Sequence, residues 1–254
     1  MKYIPQRKWL AFAGLILVLG GLLVAAYVSM TRIPKFYRQA LLISNSENSL
    51  AGREFEGRLA DLVNQIRNED VWSVCWTDQQ INGWLAVDLP RKFRGVVSQS
   101  LIHPRIAIDE DELRLAFQFQ RMGLRGIVEI RGEVFSTEVD NQIALRVEYA
   151  RCGFFPIPVA WWAERLQVAL TDWDIGIEWT ELENDPVALI NLPPTLGFHE
   201  EQRVVLQGIQ LSPSTIALAG QTVVHQSDSS QSGADVSADN IQRSGESSMD
   251  PRFK

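Results

Sequence analysis

Residues 113–120 read Leu-Arg-Leu-Ala-Phe-Gln-Phe-Gln. Leu113, Leu115, Phe117 and Phe119 alternate strictly with Arg114, Ala116, Gln118 and Gln120. A period of two puts the four large apolar side chains on one face of an extended strand. The alternation returns twice downstream. Val128, Ile130, Gly132 and Val134 stand against Glu129, Arg131 and Glu133, then Ile143, Leu145, Val147 and Tyr149 against Arg146 and Glu148. Gly123 and the polar run 137–141 mark the turns between them. Three long strands joined by short polar turns predict an antiparallel meander. Its apolar face needs a cover.

Upstream, Ile102, Ile106 and Ile108 lead into an acidic turn, Asp109, Glu110, Asp111 and Glu112. Residues 48–69 have a helical period, with Leu50, Phe55, Leu59, Leu62, Val63 and Ile66 on one stripe. That helix is the expected cover of the meander. A Trp-rich, β-prone run at 71–76 follows. Thr77-Asp78-Gln79-Gln80 then reads as a capping box, Thr77 at the N-cap and Gln80 three residues on. The helix it opens is expected to bury Ile81, Trp84, Leu85 and Leu89 and to stop at Pro90. Arg91, Lys92 and Arg94 read as a solvated loop.

Downstream, Pro156 and Pro158 interrupt the sheet. Val159, Trp162, Ala163, Leu166 and Leu170 give a short amphipathic helix, and Trp173, Ile175, Ile177 and Trp179 a strand. Turns are expected at 184–186 and 191–194. Two strands close the domain, one through Val204, Leu206, Ile209 and Leu211 with a bulge near Gly208, the other over 215–224. The fold class is α+β: over residues 36–225, a bent antiparallel β-sheet covered on one face by amphipathic helices, preceded by one transmembrane helix.

That helix is the uncharged run 9–30, WLAFAGLILVLGGLLVAAYVSM. A helix of this length spans the roughly 30 Å hydrocarbon core of a bilayer. Basic residues flank it evenly: Lys2, Arg7 and Lys8 before, Arg32, Lys35 and Arg38 after. The free α-amine and the short head, residues 1–8, place the N-terminus in the cytoplasm and the domain outside, at the cell membrane. The rival is a cleaved signal peptide with Val24-Ala25-Ala26 before the cut, but the apolar run exceeds a signal core of roughly 7–15 residues. Residues 226–254 hold eight serines and five acidic residues; such a composition predicts a disordered tail.

The chain has 254 residues and a net charge of −7. An acidic domain without a large basic cluster is repelled by nucleic acid, so no nucleic-acid partner is expected. Cys75 and Cys152 form no CxxC; outside the cytoplasm they could join in a disulfide, and apolar neighbours suit two buried free thiols equally.

Three features carry a resemblance. They are the pattern Thr77-Asp78-Gln79-Gln80-Ile81-Asn82, the Gly153–Pro158 turn before an amphipathic helix, and a closing hairpin, Val205-Leu206-Gln207-Gly208-Ile209-Gln210-Leu211 returning through Ile216-Ala217-Leu218-Ala219-Gly220. With the N-terminal span, residues from about 50 to 224 resemble the YpmS-like family of uncharacterised, membrane-anchored envelope proteins. They are similar, more distantly, to lipid-binding envelope domains with helices on a long curved antiparallel sheet. The resemblance implies an envelope location and an apolar ligand, and brings no catalytic residues.

The chemistry-bearing residues point away from catalysis. His103, His199 and His225 are the only histidines. His199 stands beside Glu200 and Glu201 in a polar loop, short of the convergent ligands a metal needs. The run 109–112 lacks EF-hand spacing and reads as a hairpin tip. Asp172 and Asp174 flank Trp173 with nothing opposite. There is no nucleophile elbow, P-loop or dinucleotide fingerprint. No enzyme activity, cofactor or metal is expected. Seven of eight Trp lie beyond the span. Trp161 and Trp162 are adjacent, so they cannot share one helix face; Trp161 is the candidate for a membrane- or ligand-facing ring. The expected ligand-binding set is Trp84, Phe117, Phe119, Trp161 and Trp162, holding a lipid or other apolar molecule between sheet and helices. The alternative is a scaffold subunit of an envelope complex with a filled core.

Overall fold

Two antiparallel sheets, rather than one bent sheet, carry the strands. The structure is a computed structural model that describes residues 6–92, 101–121, 124–160, 163, 167, 175–193 and 202–224. Helix α1 (Gln6–Met30) is followed by α2 (Lys35–Leu42) and α3 (Asn45–Asn68). Then come β1 (Val71–Thr77), α4 (Asp78–Val87), the single turn α5 (Leu89–Lys92), β2 (Ile102–Ile108), β3 (Glu112–Arg121), β4 (Leu124–Ser136) and β5 (Gln142–Cys152). The chain closes with β6 (Phe155–Pro156), β7 (Gly176–Leu182), β8 (Asp185–Asn191), β9 (Gln202–Ser212) and β10 (Thr215–Val224). The large sheet runs β2-β3-β4-β5-β8-β7 with β6 paired to β5; the small one runs β1-β10-β9. The meander expected around residues 113–149 is present as β3, β4 and β5.

The cover of that meander is the main correction. Helix α3 packs on the small sheet instead. Trp72, Val74 and Trp76 alternate on β1 and stand opposite Gly220, Leu218 and Ile216 of β10. With Val204 of β9 they form an apolar core against Leu62 and Ile66 of α3. Gly220 makes room for the Trp72 indole: a Cβ there would lie 2.2 Å from Trp72 Cζ2. Leu50 and Leu59, expected on the buried stripe, are exposed, while Asn48, Ala51 and Gly52 are buried. That part of α3 faces α4 through glycines; a Cβ on Gly83 would sit 2.6 Å from the Asn48 oxygen.

Local chemistry sets the helix starts. The Thr77 box is formed: Thr77 Oγ1 accepts from the Gln80 N–H at 3.1 Å, and Gln80 Oε1 from the Thr77 N–H at 3.0 Å. A second box, Ser44 with Glu47, opens α3 and was legible as Ser-x-x-Glu. Arg91 and Lys92 are exposed, as expected of a solvated segment, but they sit in the turn α5 rather than a loop and pair with Asp88 and Glu56; Arg94 lies outside the described residues. Gly208 does border a bulge: Ala219 stands opposite Gly208 and Gly220 opposite Leu206, leaving Gln207 extra. Residues 185–191, read as beginning in a turn, form β8 after Glu183 and Asn184 reverse the chain at positive φ.

Two buried asparagines join the parts. Asn82 of α4 donates to the Ile106 oxygen at 2.8 Å and accepts from the Ile106 N–H at 2.7 Å, capping the outer edge of β2. Asn141, in the β4–β5 turn, donates to the Val204 oxygen at 2.7 Å and accepts from the Leu206 N–H at 2.6 Å on β9. Each amide makes the two bonds that a paired strand residue would make.

Helix α1 exposes its apolar side chains, Leu17 at 77% and Leu23 at 72% among them. Counted from Gly14, where the described side chains of α1 begin, no single helix among the described residues is long and apolar enough to cross a membrane. Gly14–Met30 together with Lys35–Leu41, bent by 54°, passes by length and composition as a pair. The expected head 1–8 lies partly, and the tail 226–254 wholly, outside the described residues.

Candidate functional site

The register of the large sheet collects its apolar side chains on one face. Ile108 and Ile106 of β2 stand opposite Leu113 and Leu115 of β3. Leu115, Phe117 and Phe119 stand opposite Ile130, Val128 and Gly126 of β4. Ile130 and Val128 stand opposite Ala150 and Cys152 of β5, and Val134 opposite Leu145. The face continues through Ala188 of β8 to Trp179 of β7. The small side chains are buried, but Leu113, Leu115, Phe117, Phe119, Ile130, Val134 and Leu145 are only half-buried. A sheet face with this much hydrocarbon left partly wet is a recognition surface more often than a finished core.

Both ends of this face have neighbours. At one end the Cys152 Sγ lies 4.0 Å from the Met30 oxygen, and the Phe154 N–H donates to Ser29 Oγ at 2.9 Å. The last turn of α1 is therefore docked at the rim. At the other end the Ile209 N–H of β9 donates to Ser136 Oγ at 3.3 Å. Phe119 and Cys152 converge over Gly126, where a Cβ would lie 2.5 Å from Phe119 Cε1 and 2.7 Å from Cys152 Sγ. Burial pushes the Cys152 thiol up, away from a reactive thiolate.

The opposite face is sealed by charge. Arg131 bridges Glu112 at 2.5 Å and Glu148 at 2.7 Å, and Arg114 forms an ion pair with Glu112 at 3.1 Å. Arg151 pairs with Glu129 at 2.9 Å and stacks over Tyr149, whose hydroxyl donates to Glu129 at 3.2 Å. Arg146 pairs with Glu133. Helix α2 covers the next part of this face: Tyr37 is buried with Ala116 and Ile127. Arg105, 5% exposed, lies there too. Its Nη1 donates to the Pro104 oxygen at 2.7 Å and its Nε has no partner. Desolvation lowers its pKa. These groups hold the strands together and offer no nucleophile–base pair.

A cavity of about 310 Å³ lies elsewhere, along the free edge of β1, lined by Arg58, Asp61, Gln65, Ser73, Cys75 and Ala217 among others. Side chains of α3 occupy part of that edge: Arg58 donates to the Cys75 oxygen at 2.9 Å, and Gln65 accepts from the Ser73 N–H at 3.1 Å.

The expected ligand set is not one constellation. Phe117 and Phe119 share the open face. Trp84 belongs to an aromatic cluster under α3, its ring 5.7 Å from Phe55, which lies 5.3 Å from Trp76. Trp161 and Trp162 lie outside the described residues, as do Asp172, Asp174, His199 and His225. The cysteines are free thiols in different sheets, Cys75 exposed on β1 and Cys152 buried on β5; no disulfide joins them, and of the alternative pair of buried thiols only Cys152 is buried. His103 adopts φ 51 at the irregular start of the β2–β3 pairing. Among the described residues no group of three or more His, Cys, Asp or Glu could hold a metal ion. What sequence reasoning missed is the docking of Ser29 on Gly153, a contact 124 residues apart with no local signal. No protein-family model, curated protein or solved structure matches the chain.

Proposed function

We propose that this is a membrane-anchored, non-catalytic lipid-binding protein of the cell envelope. Helix α1 spans the bilayer with its N-terminus in the cytoplasm, and the apolar face of the large sheet takes an acyl chain. The reading is carried by one observation: the half-buried apolar face begins where α1 ends, at Cys152 and Met30. A lipid leaving the bilayer along α1 meets Phe119, then Phe117 and Ile130. Titration of the delipidated full chain with a fluorescent fatty acid tests it. Saturable binding is expected, and Phe117→Asp weakens it tenfold or more, since an apolar contact of about 1.5–3 kcal/mol gives way to a charge. Absence of saturable binding overturns it.

A second reading, a scaffold subunit, draws on the edge of β1 and its adjoining cavity, where a partner strand could add. It requires the protein to crosslink to a fixed envelope partner; a chain that always runs alone counts against it.

A further inference from the structure

The tip between β5 and β6 exposes two aromatic rings beside the end of α1. Phe154 is 73% exposed and Phe155 46%. Neither belongs to a core, and exposed aromatic pairs are costly to leave in water without a use. Their position is fixed. Gly153 adopts φ +61, and a Cβ on it would lie 2.2 Å from the Ser29 oxygen, so the tip backbone rests directly on the last turn of α1. The Phe154 N–H bonds Ser29 Oγ, and Ser29 is itself 3% exposed. On the outer side the Arg32 guanidinium stands 5.6 Å from the Phe154 ring. Ile33, 40% exposed, follows directly, and the cation Lys35 comes after Pro34. Two residues before Ser29, Tyr27 is 54% exposed.

Aromatic rings with a guanidinium beside them match the layer between hydrocarbon and headgroups, where rings bury their faces and cations meet phosphate oxygens. We propose that Phe154 and Phe155 form a second contact with the outer leaflet, inserted beside α1 at the level of Tyr27 to Arg32. The inference rests on the membrane-anchored reading and adds to it a two-point attachment. One helix alone would let the domain swivel. A wedge clamped to that helix fixes which edge of the large sheet faces the bilayer, and it brings the Cys152 end of the apolar face down to the lipid.

The test places the photoreactive analogue p-benzoylphenylalanine, one position at a time, in the full chain in phosphatidylcholine vesicles. Positions 18, 154, 155 and 139 are compared. Val139 is an exposed apolar residue, 58%, in the turn at the far end of β5, roughly 35 Å from the tip at about 3.3 Å per strand residue. Lipid adducts at 154 and 155 matching the yield at 18, with only background at 139, are the expected result. Adducts at 18 alone overturn the wedge and leave the anchor intact. Equal adducts at 139 and 154 also overturn it, because the tip then has no privileged position. No adducts at 18 remove the anchor, and the wedge with it.

Discussion

On the small sheet Trp72, Trp76 and Val204 are buried against Leu62 and Ile66 of α3; on the large sheet Leu113, Leu115, Phe117 and Phe119 remain half-buried on their own apolar face. Both sheets carry alternating strands, β1 through Trp72, Val74 and Trp76 and β3 through Leu113 to Phe119. What differs is chain order. Only Glu69 and Asp70 separate α3 from β1. Consecutive elements joined this tightly pack on each other, and the helix is used up locally. The large sheet, assembled later in the sequence, has, among the described residues, α1 at one rim, β9 at the other and α2 on its polar face. Amphipathic patterning says that a face must be covered, whereas connection length says which one is.

The contrast can be broken by truncation. Trp72→Ala should cost about 3–5 kcal/mol in denaturant unfolding, as for other large buried side chains. Phe117→Ala, on the half-covered face, should cost about 1–2 kcal/mol, since only part of its area leaves water on folding. Equal losses would mean that the two faces are equally packed. Gly153→Ala forces a Cβ into the Ser29 backbone at positive φ and should cost about 1–3 kcal/mol. That loss should appear with new protease sensitivity between α1 and α2, and unchanged cleavage there would contradict the docking.

Smaller effects sharpen the account of the charged groups. Asp78, at the joint of α4, β2 and the β9–β10 turn, has its carboxyl raised above 3.8, chiefly by burial, against opposing hydrogen bonds from Ser214, Gln79 and Ile108. The folded state therefore holds this proton more tightly than the unfolded chain. Its contribution is fully present below the ordinary Asp value and is lost as pH rises through the folded value. Asp78→Asn should flatten that segment of the stability–pH curve; an unchanged slope would refute it. Arg131→Gln breaks two ion pairs, but the side chain is 38% exposed, so the cost should be at most about 1 kcal/mol. A larger loss would mean that the polar face, rather than the small sheet, holds the fold.

Much of this was legible in local patterns. The strict alternation at 113–120, 128–134 and 143–147 predicted β3, β4 and β5, though a bulge at Glu148 turns Tyr149, expected on the apolar face, onto the charged one, and Thr77 with Gln80 predicted the start of α4. The partner of α3 was not legible, because its stripe fits any apolar sheet face. Gly220 and Gly83, which let Trp72 and α3 approach, look like ordinary glycines in the chain. Phe117 and Phe119 could be placed on one face, but Trp84 could not be separated from them, since helical period says nothing about which core a ring enters. Strand β8 was hidden by Pro186, which is tolerated at a strand start where β5 has no residue opposite it.

The most direct test of the open face uses the native chain in vesicles containing a phospholipid with a diazirine near the acyl terminus. After illumination, adducts are mapped by peptide mass. The account predicts adducts on α1 and, in the folded domain, on peptides carrying Leu115–Phe119, Val128–Ile130 and Leu145. Adducts confined to α1 would mean that no acyl chain reaches the sheet, and lipid binding by this domain would have to be given up.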